Sequence, residues 1–362
     1  MNDIAELKDY LLLHAVVQGM RPADYRRVAD SVHTDREGDP ASWTARWQAE
    51  GEREERAGRL IEACRAYNLA RFPYVDGPAR RQALENCVAV FDRWRKAQDN
   101  AIEPLTVTTA DGEIKCWTAG LAPGARRPVV IFMGGQVSIK EQWAPVLPLL
   151  AEQGFAGIAT EMPGVGENTT PYTPDSWRML AEVLDAVSDR CDADRCYAIC
   201  LSFSGHLALR CAAQDRRIRG IVTAGAPVSA FFTDRAWRSR VPRLTLDSLA
   251  HLTGGSTDDL SDWAIDGAVL DRIDIPVHYL HSLRDEIVPA AEVEVLSRHL
   301  RDLHVRANDD VHGSPHHVTE TRLWAVLSLL RMRGGDRLRS VVLASTLAAL
   351  RVRDRLTASR LT

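Results

Sequence analysis

The sequence predicts an α/β chain. It combines a mostly parallel, eight-stranded sheet flanked by helices with an N-terminal helical domain and a lid insertion. Three observations carry this. From about residue 103, short apolar runs alternate with helical stretches, the pattern of strands covered on both faces. Before that point, residues 1–102 read as helix throughout, with apolar side chains at helical spacing. Residues 229–272 then interrupt the alternation with a Trp-, Arg- and Asp-rich segment of weak helical patterning, a long connection of the kind that covers a site.

In the first region Leu84, Cys87, Val88, Phe91 and Trp94 recur at helical spacing, as do Leu60, Ile61, Cys64 and Tyr67, and Trp43 pairs with Trp47. These aromatics are expected to form a helical core, and a few could roof a pocket. Pro22 and Pro40 stand where helices can start. Leu105–Thr109 and Glu113–Thr118, joined through Asp111-Gly112, read as a β-hairpin. The following strands are Val129–Met133, Phe155–Thr160, Cys196–Leu201, Gly220–Ala224, Val277–His281 and Leu303–Ala307, which places core segments at 103–228 and 273–334. Ser138 and Glu141 have capping-box spacing at a helix start, and Pro174–Arg190 reads as helix. Thr319–Met332 closes the core. Residues 335–362 form a basic amphipathic tail: Val341–Leu350 is mostly apolar and is flanked by Arg337, Arg339, Arg351, Arg353 and Arg355. Such a helix can bind a membrane surface. Packing on its own protein or on a homodimer partner is the preferred expectation.

Composition narrows the function classes. A net charge of -4 argues against nucleic acid as a partner, because phosphate binding needs a basic surface. No apolar run approaches the roughly 20 residues needed to span a bilayer. The start, Met1-Asn2-Asp3-Ile4-Ala5-Glu6, lacks the layout of a signal peptide. Seven cysteines without regular spacing fit reduced thiols, so a cytoplasmic location is expected. Cys191 and Cys196 lack a second pair at zinc spacing and read as buried thiols.

The chemistry centres on Ser202. In Tyr197-Ala198-Ile199-Cys200-Leu201-Ser202-Phe203-Ser204-Gly205-His206 an apolar strand breaks at a serine and passes into a helix, the shape of a nucleophile elbow. Glycine usually occupies the positions two before and two after the serine; here they are Cys200 and Ser204. Ser204 as nucleophile would place His206 in a crowded position, so His206 is expected to pack or hydrogen-bond instead. An elbow serine needs an acid and then a base, each after a late strand. Asp285 follows the Val277–His281 strand, with Glu286 its neighbouring rival and Val288-Pro289 behind it. His312 follows the Leu303–Ala307 strand, with His316 and His317 as rivals nearer the last helix. Asp309, Asp310, His312, His316 and His317 could form a metal cluster, but a local group without a distant ligand is weak, and neither metal nor cofactor is expected. For the oxyanion hole, the Phe203 amide and either Gly135 or Gln136 in Met133-Gly134-Gly135-Gln136 are the expected donors.

With these residues in place the chain resembles the α/β-hydrolases with an N-terminal helical domain. That group includes the FrsA-like esterases, 2,6-dihydroxypseudooxynicotine hydrolase and the fungal enzymes that shorten naphthopyrone polyketides. The resemblance lies in Val129–Glu141, in Glu161-Met162-Pro163-Gly164-Val165-Gly166-Glu167 and in the elbow, and extends to about residue 334. It implies the α/β-hydrolase fold and cleavage of an ester, or of a carbon–carbon bond beside a ketone, in a small acyl compound such as a secondary metabolite. Ser202 then attacks, His312 shuttles the proton and Asp285 orients His312. Carbon–carbon cleavage further requires stabilisation of the leaving carbanion, for which Asp234 in the lid is a candidate. An acyltransferase or cyclase would use the same triad with another acceptor, and a non-catalytic binding protein on this scaffold is a third reading. The N-terminal helices and the lid together are expected to enclose the pocket.

Overall fold

A computed structural model describes residues 1–98, 101–335 and 337–358. Five helices come first: α1 (Ile4–Val17), α2 (Pro22–Asp30), α3 (Trp43–Arg56), α4 (Leu60–Ala70) and α5 (Pro78–Ala97). Pro22 opens α2, but Pro40 opens nothing. Ser42 is the N-cap of α3, its side chain accepting from the Ala45 amide, which a proline ahead of it cannot do. Trp43 and Trp47 are fully buried beside Phe72, and Trp43 Nε1 donates to the Leu69 carbonyl at 2.6 Å. These aromatics are therefore core. Phe91 and Trp94 turn the other way and join Trp117 in the core beneath the sheet.

The strands β1 (Glu103–Thr108), β2 (Glu113–Ala119), β3 (Pro128–Met133), β4 (Ala156–Thr160), β5 (Asp192–Cys200), β6 (Ile218–Ala224), β7 (Val277–Ser282) and β8 (Leu303–Asn308) form one sheet in the order β1-β2-β4-β3-β5-β6-β7-β8. β1 and β2 pair antiparallel, as do β2 and β4; all other pairings are parallel. Parallel strands need crossovers. These run through α6 (Lys140–Trp143), α7 (Leu147–Glu152), α8 (Arg178–Ala186) and α9 (Phe203–Ala212), then through the excursion with α10 (Ala230–Thr233), α11 (Arg235–Arg238), α12 (Arg243–Thr253) and α13 (Gly267–Leu270), and finally α14 (Ala291–His299). The chain ends in α15 (Val318–Arg333) and α16 (Arg337–Ala358).

Two local expectations need correction. Ser138 and Glu141 form no capping box: α6 starts at Lys140 without a side-chain cap. Both residues are buried, and Glu141 instead accepts from Trp117 Nε1 at 2.8 Å. Its neighbour Lys140 reaches three carboxylates, at 3.0 Å from Glu141, 3.2 Å from Glu161 and 2.7 Å from Glu167. Glu161 also accepts from the Lys140 and Glu167 amides. Charge pairing has outcompeted helix capping, and it ties the loop after β3 to the loop after β4. The second correction is the helix expected over 174–190, which is only α8, because Ser176 Oγ bonds the Thr173 amide and the Pro171 carbonyl and holds that stretch as a loop.

In α16, Leu347 is buried and Leu343 and Ala344 lean on the core, while Leu338, Val341 and Val342 are exposed. The side chains of Arg337, Arg351, Arg353 and Arg355 lie outside the described residues, as do residues 359–362. No described helix is long and apolar enough to cross a membrane.

Candidate active site

Ser202 lies between β5 and α9 with φ 57° and ψ -130°, a conformation that costs a non-glycine residue about 1–3 kcal/mol. Local bonds hold it there. Its amide donates to the Ala224 carbonyl at 2.8 Å, and its carbonyl accepts from the Gly205 amide at 2.8 Å. Ser204, at a position where glycine is usual, turns its hydroxyl onto the Met133 and Leu201 carbonyls, both at 2.9 Å. The crowded site is Gly205: a Cβ there would lie 2.1 Å from Thr223 Oγ1 and 2.7 Å from the Ala226 Cβ. The steric demand for glycine thus falls one residue later than the usual pattern places it. His206 is buried and bonds the Trp263 carbonyl through Nε2 at 2.7 Å, and burial pushes it down to about 3.

The structure brings Ser202, His312 and Asp285 together. Ser202 Oγ lies 3.0 Å from His312 Nε2. His312 Nδ1 lies 2.9 Å from Asp285 Oδ2 and 3.0 Å from Oδ1. Asp285 Oδ1 also accepts from the Ile287 and Val288 amides, at 2.9 Å and 2.8 Å. Glu286 does not reach the ring; its carboxylate accepts from the His312 amide at 3.0 Å. Burial pulls His312 down, but Asp285 and then Glu286 outweigh it and leave the imidazole above its usual 6.5. A glycine that sequence reasoning did not single out makes room for this pair. A Cβ on Gly225, just past β6 with φ 56°, would lie 2.7 Å from His312 Cε1 and 3.1 Å from Asp285 Oδ2.

The rival histidines are engaged elsewhere: His316 and His317 both bond Asp310 through Nδ1 at 2.9 Å. Asp309 pairs with Arg284. No cluster among the described residues has a metal-binding arrangement, and Cys191 and Cys196 are free, buried thiols.

The expected oxyanion donors border Ser202. A Cβ on Gly135 would meet the Ser202 Cβ at 3.0 Å, so glycine lets the loop come this close without pushing Ser202 aside. Phe203 opens α9, where first-turn amides have no intrahelical partner. Gly135, Gln136, Phe203, Ser202 and His312 all line one cavity of about 170 Å³.

The cavity wall is mostly apolar; beyond the ends of the strands, the loop after β3 and α6, it comes from three helices far apart in sequence. α1 contributes Tyr10, Leu13, His14 and Val17; α12 contributes Leu244, Thr245 and Ser248; α15 contributes Val318, Thr321, Arg322 and Ala325. Of these, α15 was not foreseen. The α1 residues fall at i, i+3, i+4 and i+7, a stripe readable in the sequence that the search for core aromatics passed over. Tyr10 Oη and Thr245 Oγ1 lie 3.1 Å apart, and Gln136 Nε2 donates to the Thr245 carbonyl at 2.9 Å. Glu6 accepts from the Arg243 and Leu244 amides at the start of α12. Asp234 is corrected: it is exposed, caps α11 through the Trp237 amide at 2.9 Å, and is not part of the cavity wall.

Comparison with known proteins follows the same lines. The family described as "Esterase FrsA-like" matches residues 38–273. Esterase FrsA of Vibrio vulnificus is 25% identical over 290 residues, covering 72% of this chain and 69% of that protein. Esterase FrsA of Vibrio cholerae serotype O1 is 25% identical over 237 residues, covering 60% of this chain; the match spans only 57% of that esterase's own length. Among solved structures, wild-type AbyA5 is 49% identical over 96% of this chain and 100% of its own, with a TM-score of 0.92. The 2,6-dihydroxy-pseudo-oxynicotine hydrolase shares the fold at 18% identity, covering 88% of this chain and 95% of its own, with a TM-score of 0.69.

Proposed function

The chain belongs to the FrsA-like esterase family, and on that premise we propose that it is a serine hydrolase of small, largely apolar acyl compounds, cleaving an ester or a carbon–carbon bond beside a ketone. The observation that carries this reading is the Ser202–His312–Asp285 chain of hydrogen bonds at 3.0 Å and 2.9 Å beside the cavity.

In this mechanism His312 Nε2 takes the Ser202 proton as Oγ attacks the substrate carbonyl. Asp285 holds Nδ1–H and favours the imidazolium that forms. The amides of Phe203 and of Gly135 or Gln136 receive the oxyanion; one such donor is worth about 10²–10³ in kcat. Collapse expels the leaving group, which takes the proton from His312, and water attacks the acyl-enzyme by the same route. The apolar wall selects an apolar acyl or leaving group, since only burial against such surface gains free energy.

The test is covalent labelling. A fluorophosphonate should modify Ser202, and Ser202→Ala should abolish both the adduct and turnover of p-nitrophenyl esters. An adduct elsewhere, or full turnover by the alanine variant, sinks the assignment.

A further inference from the structure

The wall opposite the triad carries a histidine that the mechanism above does not use. His14 is buried on α1, lines the cavity, and packs against Phe72 with ring centroids 4.7 Å apart. Among the described residues, no group hydrogen-bonds either ring nitrogen; the Gln18 amide and Gln18 Nε2, at 3.2 Å and 3.0 Å, both donate to its backbone carbonyl. Some of the other polar groups of the cavity are committed: Tyr10 pairs with Thr245, Gln136 Nε2 with the Thr245 carbonyl, and Ser202 with His312. Gln136 Oε1, Gln142 Oε1, Trp143 Nε1 and Thr321 Oγ1 are, like the His14 ring, without a partner among the described residues. An imidazole so placed has one donor and one acceptor for whatever occupies the cavity.

Its charge state fits that use. Burial first, then the Arg71 guanidinium and the protonated form of His312, push His14 down to about 3, so the ring is neutral at any working pH. His14 and His312 line the same cavity, and a positive charge on His312 opposes one on His14. A neutral imidazole in a dry site can polarise a substrate oxygen without carrying a charge of its own.

We propose that His14 is a second catalytic residue, whose ring N–H hydrogen-bonds the carbonyl oxygen of a leaving group that departs as an enolate. The proposal rests on the hydrolase reading and deepens it. Ser202 Oγ bonds the acyl carbon, and the bond from that carbon to the leaving carbon breaks. The electron pair stays with the leaving carbon and delocalises onto its adjacent carbonyl oxygen, where His14 donates. His312 returns the proton it took from Ser202 to the leaving carbon, giving a neutral ketone, while His14 keeps its proton throughout. An ordinary ester does not need this second donor, because the proton from His312 goes to the same oxygen that gains the charge.

Substrate pairs test this. kcat/KM is measured for 1-phenylbutane-1,3-dione, whose leaving group is an enolate, and for p-nitrophenyl butyrate, whose leaving group is already a stable anion. His14→Leu should lose about 10²–10³-fold on the diketone, the worth of one well-placed oxyanion donor, and a much smaller factor on the nitrophenyl ester. His14→Gln, which keeps an N–H, should recover part of the diketone rate, with thermal unfolding confirming that both variants fold. Equal losses on the two substrates would mean that His14 only packs, and would overturn the proposal. Wild-type protein that turns over the ester but not the diketone would overturn it as well. Failure of the hydrolase reading shows separately, as ester turnover that survives in Ser202→Ala.

Discussion

The two sides of the cavity are built differently. On the sheet side, Ser202, Asp285 and His312 stand within four residues of the ends of β5, β7 and β8. Short tethers to rigid strands fix them: the strands before Asp285 and His312 are neighbours, and only β6 and β7 separate the strand before Ser202 from the one before His312. On the opposite side, α1, α12 and α15 come from three distant parts of the chain and meet only through tertiary contacts: Tyr10 with Thr245, Glu6 with the start of α12, and Leu13 close over Gly313. The first side can therefore fail only chemically, residue by residue. The second can also fail mechanically, by separating.

The largest expected effect lies on the sheet side. Asp285→Asn should lower kcat by about 10⁴-fold, because the amide favours the wrong imidazole tautomer while leaving the packing intact. Glu286→Gln, one residue away, should cost far less, since its carboxylate bonds only the His312 backbone amide. Comparable losses in the two variants would show that tether position does not assign the roles.

Beneath the same side, Lys140→Ala should cost about 3–5 kcal/mol of stability, read from the denaturant midpoint, because it strands the buried carboxylates of Glu141 and Glu161 without their cation. A shift near zero would mean that the loop after β3 is held by something other than this cluster.

The pH profile separates the sides again. His312 must be neutral to accept the Ser202 proton, and its raised pKa keeps more of it protonated at a given pH. Activity should thus fall tenfold per unit as pH drops through a limb lying above 6.5. Glu286→Gln should move that limb down by removing one of the carboxylates that raise it. His14, already neutral, should contribute no limb in this range.

This contrast also sets what could be read from the sequence. Strand-to-loop transitions are local, so Ser202, Asp285 and His312 could be preferred to Glu286, His316 and His317 from their places after strands together with the serine–acid–histidine order of the elbow pattern. The eight strands could be named for the same reason: the first two from the Asp111-Gly112 hairpin turn and the inner ones from continuous apolar runs. Asp234 failed because nothing local says which way a residue of the excursion between β6 and β7 faces, and its cap on α11 turned it to solvent. The Ser138–Glu141 cap failed because its competitor, Lys140 with Glu161 and Glu167, is assembled from two loops. Gly205 and Gly225 went unnoticed because what they avoid, Thr223 and the His312–Asp285 pair, is adjacent only once the sheet forms.

The smallest expected effect tests the helical side directly. Tyr10→Phe removes only the hydroxyl that meets Thr245 Oγ1, a bond worth about 1 kcal/mol. Burial holds that phenol well above its ordinary pKa, so the contact is between neutral groups and should be insensitive to pH. Losing it loosens α1 from α12 without touching the triad, so KM should rise a few-fold while kcat falls less. Thr245→Val should do the same, because the Gln136 contact is to the Thr245 carbonyl and survives the change. The double variant should be no worse than either single one, which in a double-mutant cycle reads as a coupling of about 0.5–1.5 kcal/mol. Additive effects would mean that the two helices are held together elsewhere, and that the far wall is as rigid as the sheet.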